Sequence, residues 1–313
     1  MKEKRIVTIG GGTGSFTVLN ALKKYPGVRL SAIVSMADDG GSTGALRDQY
    51  GVLPPGDVRR ALVALSESSE TLRELFNFRF RQGSFHGHSF GNLFLSALEK
   101  VTGNFSSAVQ EASRILNICG EVIPVTLDDV RLRAELADGT VLRGEGSIDV
   151  PKGDRAHITR VWLEPKARMN PRVNHALSEA DCIIIGPGDV YTSIVPNFLV
   201  SGVASAFRKS KAKKIYVVNL MTKWGETDGF NVRDFTREIE RYAGKGMLDC
   251  VLFNITRPPA SVLKTYAREK AEFVKPIVPH ENGTSYIGAR LIHSGKLIRH
   301  DPRKLAKAIF SLL

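Results

Sequence analysis

Three glycine-rich stretches of the chain carry residue types that bind phosphate and hydroxyl groups. They are GGGTGS at residues 10–15, DDGGSTG at residues 38–44 and GPGDVYTS at residues 186–193. Glycine lets a backbone approach a phosphate closely, and the free N–H groups at the start of a following helix attract negative charge. The three stretches therefore predict a nucleotide-like or phosphorylated ligand, held in one cleft.

The first stretch follows an apolar run and precedes Phe16, Leu19 and Leu22 at helical spacing, which predicts strand, turn and helix. It departs from the dinucleotide pattern G-x-G-x-x-G because Ser15 stands where the third glycine would be, and it lacks the lysine of a Walker A loop. An NAD-type site and a tight turn without ligand both remain alternatives. The candidate ligand residues here are Gly11, Gly12, Thr13, Gly14 and Ser15.

The second stretch places two carboxylates directly before glycines. Asp38 follows the second predicted strand, where dinucleotide folds use an acid to bind ribose hydroxyls. Asp39 is not needed for that contact, so two interpretations stay open. Asp38 and Asp39 would hold a divalent cation such as Mg²⁺, with Asp39 the catalytic candidate of a transferase, or Asp39 would only shape the loop. Gly40, Gly41 and Ser42 would offer further N–H and hydroxyl donors.

The third stretch follows the buried run CIII and so lies at the carboxyl end of another predicted strand, where ligands bind in open α/β sheets. Its candidate ligand residues are Gly186, Pro187, Gly188, Asp189, Tyr191, Thr192 and Ser193.

Four other residues are weaker candidates for the same cleft. Asn92 ends the segment HGHSFGN, which is interpreted as a loop closing over the ligand or, through its histidines, as a metal site. Arg47 would neutralise phosphate or remain solvated. Asn219 follows a strand, and Tyr266 would stack on a base or pack in the core.

The elements that must position these loops alternate between strands and helices. The pattern predicts an α/β fold, a doubly wound, mostly parallel Rossmann-like sheet in one domain over residues 1–313. A mostly helical segment is expected at 57–117, with Asp57 as a helix N-cap, and a small antiparallel β insertion at about 121–164. Asp138-Gly139 predicts a type I′ hairpin turn within that insertion.

Composition narrows the classes of protein. The chain has 313 residues, three scattered cysteines and a net charge of +12. No apolar run is long enough for a membrane span and no signal peptide is seen, so we expect a cytoplasmic protein without membrane insertion. The basic balance suits an anionic ligand; without a zinc finger, RNP-type motif or basic-aromatic stripe, a nucleic-acid partner is disfavoured.

The ordered set of motifs resembles a known family. IGGGTGSFTVLNALK, ADDGGSTGALRDQYGVLPPGDVRRALVALS, GHSFGNLFLSAL and GPGDVYTSIVPNFLV resemble the gluconeogenesis-factor (YvcK-type) family, whose superfamily includes 2-phospho-L-lactate transferase. The resemblance implies binding of a UDP-sugar such as UDP-N-acetylglucosamine. It also implies a regulatory role in cell-wall synthesis, cell shape and growth on gluconeogenic carbon sources, with no established reaction. The transferase branch implies a nucleotide-diphosphate donor and Mg²⁺. Its Gly-Asp-Arg-Asp-type segment is missing here after residues 38–44, which we call the acid loop.

The resemblance also assigns roles. Gly11, Gly12, Thr13 and Gly14 would embrace a diphosphate, and Asp38 would take sugar hydroxyls. Residues 186–193 would close the far side of the cleft, with Asn219, Tyr266 and Arg303 as further contacts. A homo-oligomer and a partner protein in cell-wall synthesis are the expected associations.

Overall fold

Apolar, β-branched runs form the strands of the computed structural model, which describes residues 3–279, 283–293, 295 and 297–313. Their bounds are β1 Lys4–Gly10, β2 Val28–Val34, β3 Glu121–Pro124, β4 Arg131–Leu136, β5 Val141–Arg143, β6 Ile158–Glu164, β7 Cys182–Ile185, β8 Lys213–Val217, β9 Cys250–Asn254 and β10 Ser285–Ala289. Seven of them form one sheet in the order β10-β9-β8-β7-β1-β2-β3, and every neighbouring pair is parallel.

Helices connect these strands and cover both faces of the sheet. Their bounds are α1 Gly12–Leu22, α2 Gly41–Tyr50, α3 Gly56–Leu65, α4 Glu70–Asn77, α5 Phe90–Thr102, α6 Phe105–Ile115, α7 Glu145–Asp149, α8 Pro171–Glu179, α9 Val195–Leu199, α10 Val203–Lys209, α11 Val232–Ala243, α12 Ala260–Ala267 and α13 Pro302–Phe310. A π-helical turn, Val190–Ile194, precedes α9. The central strand β7 is buried throughout and β1 is buried from Ile6 onward, which explains the mostly apolar sequence of these segments.

The direction of chain progression reverses between β1 and β7. From β1 the sheet grows one way through β2 and β3, and from β7 it grows the other way through β8, β9 and β10. This is the topological switch point of a doubly wound sheet, and ligands bind beyond the carboxyl ends of the strands that flank such a point. The predicted fold class is confirmed.

The β insertion differs from its prediction in extent and in turn type. Strand Glu121–Pro124 pairs in parallel with β2, so it belongs to the large sheet, and the antiparallel sheet β5-β4-β6 begins only at Arg131. The hairpin is present, but its loop has three residues: Gly139 N–H donates to the Leu136 carbonyl, and only Gly139 has a positive φ, +84°. A type I′ turn needs two such residues, so that turn prediction is wrong.

The described residues include no helix with both the length and the apolar character that a membrane span requires.

Candidate functional site

The loops after β1 and β7 touch each other at the switch point. A Cβ on Gly14 would overlap the carbonyl oxygen of Pro187, and a Cβ on Gly12 would lie 3.3 Å from the Ser193 hydroxyl. Gly12 has a φ of +64° at the start of α1, and Gly186 has the same φ at the end of β7. Glycine is therefore required here by close approach and by backbone conformation.

A cavity of about 260 Å³ opens beside this contact. It is lined by Thr13, Gly14, Thr17, Pro187, Gly188, Asp189, Asn219, Leu220, Met221, Tyr266, Ile298, Arg299 and His300. A larger cavity of about 550 Å³ shares Asp189, Met221 and Tyr266 with it and extends toward the β insertion.

The residues that line the smaller cavity include Asn219, Tyr266 and His300. Asn219 clamps Gly188 with two hydrogen bonds: its Oδ1 accepts from the Gly188 N–H at 3.1 Å, and its Nδ2 donates to the Gly188 carbonyl at 2.9 Å. The half-buried Tyr266 accepts the Ile298 N–H at 3.0 Å through its hydroxyl, which leaves its own O–H free to donate. Burial lowers the pKa of His300 to about 4, so this imidazole is neutral at physiological pH.

The carboxylate that acts electrostatically on Asp38 is that of Asp57, and not that of Asp39, which follows it in the chain. Asp38 Oδ1 accepts the Gly40 N–H at 3.0 Å. Burial, followed by repulsion from Asp57, raises the pKa of Asp38 to about 6. The sequence separation of 19 residues hid this pair, because α3 returns Asp57 to the strand ends.

Asp57 reaches the first glycine loop. Its Oδ1 accepts the Gly12 N–H at 3.0 Å, and a Cβ on Gly11 would overlap its Oδ2. The prediction that Asp57 caps its own helix is wrong, since α3 begins at Gly56 after Pro55 and Asp57 lies in its first turn. The Asp57 carboxylate thus accepts a hydrogen bond from one of the backbone N–H groups that the sequence analysis assigns to a phosphate.

Asp39 anchors the β insertion. Its Oδ1 accepts the Gly146 N–H at 2.8 Å in the first turn of α7, and its Oδ2 lies 3.7 Å from the Arg131 guanidinium. Glu145 extends from the same helix toward the acid loop, and a Cβ on Gly40 would lie 3.4 Å from its Oε2. Burial, then repulsion from Asp38 and Asp149, raises the pKa of Glu145 to about 9.

Two predicted phosphate or ligand contacts serve the structure instead. Arg47 is buried and donates to the carbonyls of Asp38 at 2.8 Å and Val130 at 2.6 Å, while it pairs with Asp129. The buried Asn92 donates to the Ser42 hydroxyl at 3.3 Å and accepts from Arg59 at 3.0 Å. Arg47 and Asn92 therefore tie the acid loop to its surroundings.

A second acidic cluster lies on the β7 side of the crevice. Carboxylate oxygens of Asp149, Asp189 and Glu226 lie within 4.8 Å of one another, a geometry that could hold a metal ion. The Lys223 ammonium already fills this position: it pairs with Asp149, with Asp189 at 2.8 Å and with Glu226 at 3.5 Å. Burial lowers the pKa of Lys223, but the carboxylates, Glu226 foremost, outweigh burial and raise it.

Glu226 also forms hydrogen bonds with the third glycine-rich loop, residues 186–193. Its carboxylate accepts from the Tyr191 N–H at 3.3 Å and from the Thr192 hydroxyl at 3.4 Å. Tyr191 and Thr192 are buried, and the residues of this loop that line the cavities are Pro187, Gly188 and Asp189. Ser15 is buried at the base of α1, and the exposed Arg303 is outside the residues that line the smaller cavity.

The sequence interpretation missed Asp57 as a site residue, and it missed Glu145, Lys223, Glu226 and His300. Asp57 lies in LPPGD, where the acid after Pro-Pro-Gly was a usable signal. The other four lie outside the three glycine-rich stretches, and only the tertiary structure brings them to the strand ends.

Comparison with known proteins gives this geometry a family. Residues 6–292 match the family described as 2-phospho-L-lactate transferase CofD. The chain is 43% identical to a putative gluconeogenesis factor of Aquifex aeolicus, over 100% of this chain and 98% of that one. It is 41% identical to the gluconeogenesis factor of Halalkalibacterium halodurans, over 99% and 96%.

A solved structure agrees with these relatives. A UPF0052 family protein from Bacillus halodurans superposes with a TM-score of 0.93 at 41% identity, over 99% of this chain and 100% of that one. The chain therefore belongs to the 2-phospho-L-lactate transferase CofD family, and within it to the gluconeogenesis-factor proteins.

Proposed function

We propose that the chain binds a nucleotide-sugar of the UDP-N-acetylglucosamine type at the switch point and acts as a cytoplasmic regulator. The regulated process would be cell-wall synthesis and cell shape during growth on gluconeogenic carbon sources. The relatives' name, gluconeogenesis factor, supports this broad role. In this proposal the bound nucleotide-sugar is a signal, and a protein of cell-wall synthesis is the partner that receives it.

One observation carries the ligand assignment: the glycine loop and the 186–193 loop meet where a doubly wound sheet binds nucleotides. The diphosphate would lie over the N–H groups at Thr13 and Gly14, the first turn of α1. The nucleoside would enter the cavity lined by Asn219 and Tyr266. The sugar would extend toward Asp38, whose carboxylate accepts hydroxyl hydrogen bonds.

Calorimetry with UDP-N-acetylglucosamine tests the assignment through two matched glycines. Gly14→Ala places a methyl group against the Pro187 carbonyl, whereas a Cβ on Gly153 would meet nothing within 4 Å. We expect Gly14→Ala to weaken binding by about tenfold or more, a loss of at least about 1.4 kcal/mol, and Gly153→Ala to leave it unchanged.

Asn219→Ala provides a second variant in case Gly14→Ala folds poorly. It removes the clamp on Gly188 without adding volume, and we expect weaker binding at unchanged secondary structure. A wild-type protein that binds no UDP-sugar would end the proposal. Including NAD and a guanosine diphosphate in the same panel separates it from a dinucleotide site and from a transferase donor site.

A second candidate function, a Mg²⁺-dependent transferase with a nucleotide-diphosphate donor, is favoured by the pair Asp38 and Asp57. Both carboxylates adjoin the glycine loop. Burial, then repulsion from Asp57, raises the pKa of Asp38, and a bound cation would oppose this shift. The residues therefore fit Mg²⁺ with Asp38 and Asp57 as ligands, and Asp39, predicted as the second ligand, is engaged with Gly146. A bound cation would neutralise negative charge on the donor phosphates.

A turnover assay decides between the two candidates. It would supply Mg²⁺, a guanosine diphosphate-type phospholactyl donor and a deazaflavin acceptor. Product formed by the wild type and lost in Asp57→Asn would establish the transferase. Tight UDP-sugar binding without any product would favour the regulator.

A further inference from the structure

The positive charge of the chain is concentrated near its carboxyl terminus. Residues 255–313 contain eleven Lys or Arg and four Asp or Glu, so about a fifth of the sequence carries more than half of the net charge of +12. The nucleotide site uses little of this charge, because Arg299 is the one lysine or arginine that lines the smaller cavity. The remaining cations need a different role.

Three segments of this region meet beyond the carboxyl ends of β9 and β10. Ile255 N–H donates to the Ala289 carbonyl at 3.0 Å. Leu291 joins the other two segments: its N–H donates to Asn254 Oδ1 at 3.0 Å, and its carbonyl accepts the Asp301 N–H at 2.7 Å. These bonds form one ordered surface, which we call the basic corner. It comprises residues 254–257, 289–293 and 297–304.

The basic corner has five exposed cations and one carboxylate. The cations are Arg257, Arg290, Arg299, Arg303 and Lys304. In the part of the chain that the structure describes, none of the five forms an ion pair. The carboxylate, Asp301, caps α13 by accepting the N–H groups of Arg303 and Lys304. The corner therefore presents unpaired positive charge to its surroundings.

Apolar side chains accompany these cations. Ile255 is 51% exposed and Leu297 is 54% exposed, whereas the three segments contain no Phe, Tyr or Trp. Proteins that bind single-stranded nucleic acid combine cations with aromatic rings on which bases stack. The start of α13 is not a ready phosphate site either, since Asp301 already accepts two of its N–H groups. Arginine beside apolar surface is instead typical of protein interfaces.

We propose that the basic corner docks an acidic surface of a partner protein. Guanidinium groups form paired, directional hydrogen bonds with carboxylates, and four of the five cations are arginines. A second copy of this chain does not supply such a surface through a two-fold contact at the corner. In that contact the same five cations would face one another, because a two-fold interface brings the same patch of both copies together.

The basic corner adjoins the smaller cavity. Ile298, Arg299 and His300 belong to both, and the Tyr266 hydroxyl accepts the Ile298 N–H at 3.0 Å. A partner seated on the corner therefore lies at the rim of the proposed nucleotide site, where it can contact a bound ligand. This surface deepens the proposed function by giving the partner a place on the molecule. Its test uses no nucleotide, so a failed nucleotide assignment leaves it standing.

Fluorescence anisotropy with a labelled polyglutamate of about 20 residues tests the charge of the corner. Arg257→Glu, Arg290→Glu and Arg303→Glu together should weaken binding by about tenfold or more, because repulsion replaces attraction. The matched control reverses three exposed cations elsewhere, with the same change in net charge: Arg81→Glu, Arg143→Glu and Lys166→Glu. We expect the control to lose less than about threefold, since screening limits charge effects to short distances. Equal losses, or a wild type that does not bind polyglutamate, would overturn the proposal.

A second peptide separates a protein-docking surface from a general anion site. In this peptide every fourth glutamate is replaced by leucine. We expect the wild type to bind it more tightly than polyglutamate despite its lower charge, because Ile255 and Leu297 can bury its leucines. Ile255→Ser with Leu297→Ser should remove that gain and leave polyglutamate binding unchanged. Weaker binding of the leucine peptide, or tighter binding of an oligothymidylate of equal charge or of phosphatidylglycerol vesicles, would overturn the proposal.

Discussion

Two acidic clusters flank the crevice, and they differ in what neutralises them. On the β7 side, Asp149, Asp189 and Glu226 surround the ammonium of Lys223. On the β1 side, burial and then repulsion from neighbouring carboxylates raise the pKa of Asp38 and of Glu145, and the nearest compensating cation is Arg60, 3.0 Å from Asp57. The first cluster supplies its own cation and ties the β insertion to the third loop. The second keeps excess negative charge beside the glycine loop.

Burial, then repulsion from Asp189, also raises the pKa of Glu226 on the β7 side, to about 8, although Lys223 opposes this shift. The two clusters therefore differ in the cation at their centre. A buried carboxylate that is paired and hydrogen-bonded is a structural part, whereas buried carboxylates that repel one another store free energy that a proton or cation can release. Metal-ligand geometry alone selects the cluster around Lys223, where the three carboxylate oxygens lie within 4.8 Å of one another, although an ammonium group already lies between them.

The largest expected effect is on stability, and it concerns the cluster around Lys223, which we call the compensated cluster. Lys223→Met removes the cation and leaves three carboxylates together, so we expect a loss of about 3–5 kcal/mol in the free energy of unfolding. Urea unfolding measures this loss. Lys270→Met removes a surface lysine paired with Asp154 and is the control, with an expected change of less than about 1 kcal/mol. Equal losses in the two variants would contradict the role of Lys223 in stabilising the three carboxylates.

The next effect is a pH dependence of stability that comes from Asp38, Asp57 and Glu145, which we call the uncompensated cluster. Glu145 keeps its proton in the folded protein up to about pH 9, but the unfolded chain releases it above its usual value of 4.5. Stability therefore falls as the pH rises from about 4.5 to 9, by several kcal/mol from this group, since each pH unit between the two pKa values corresponds to about 1.4 kcal/mol. Glu145→Gln should flatten the fall of the unfolding midpoint across that range. An unchanged slope would show that Glu145 ionises normally.

A smaller effect should follow from adding Mg²⁺ at pH 8. If the uncompensated cluster takes the cation, the wild type gains about 2.7 kcal/mol at 100 times the dissociation constant. Thermal unfolding with and without Mg²⁺ measures the gain. Asp38→Asn should abolish it, and Asp149→Asn in the compensated cluster should not. A gain that Asp149→Asn removes would reverse the comparison.

The smallest effect concerns Asp39. Asp39→Asn weakens a hydrogen bond to Gly146 and a distant pair with Arg131, so we expect a loss of about 1 kcal/mol in stability and unchanged nucleotide affinity. Denaturant unfolding and calorimetry on the same sample check both. A loss of affinity as large as that of Asp38→Asn would return Asp39 to the ligand site.

Several parts of the fold and site were predictable because their signals are local. Buried parallel strands are continuous apolar runs, and glycines at strand ends mark close backbone approach, as at Gly14 and Pro187. Arg47 and Asn92 were misjudged for the opposite reason. A polar side chain near a loop has the same sequence signal whether it faces a ligand or, as here, the carbonyl of Val130 and the hydroxyl of Ser42.

Local sequence patterns were enough to predict the doubly wound sheet, the three loops at its strand ends and the family. Each of these depends on residues that are neighbours in the chain. Which carboxylates share a cluster, in contrast, depends on how the chain folds. Asp38 meets Asp57 and Glu145, and Lys223 meets Asp149 and Asp189, across separations that no periodicity encodes. Electrostatic interaction depends on distance in space and on burial, and both are properties of the folded chain.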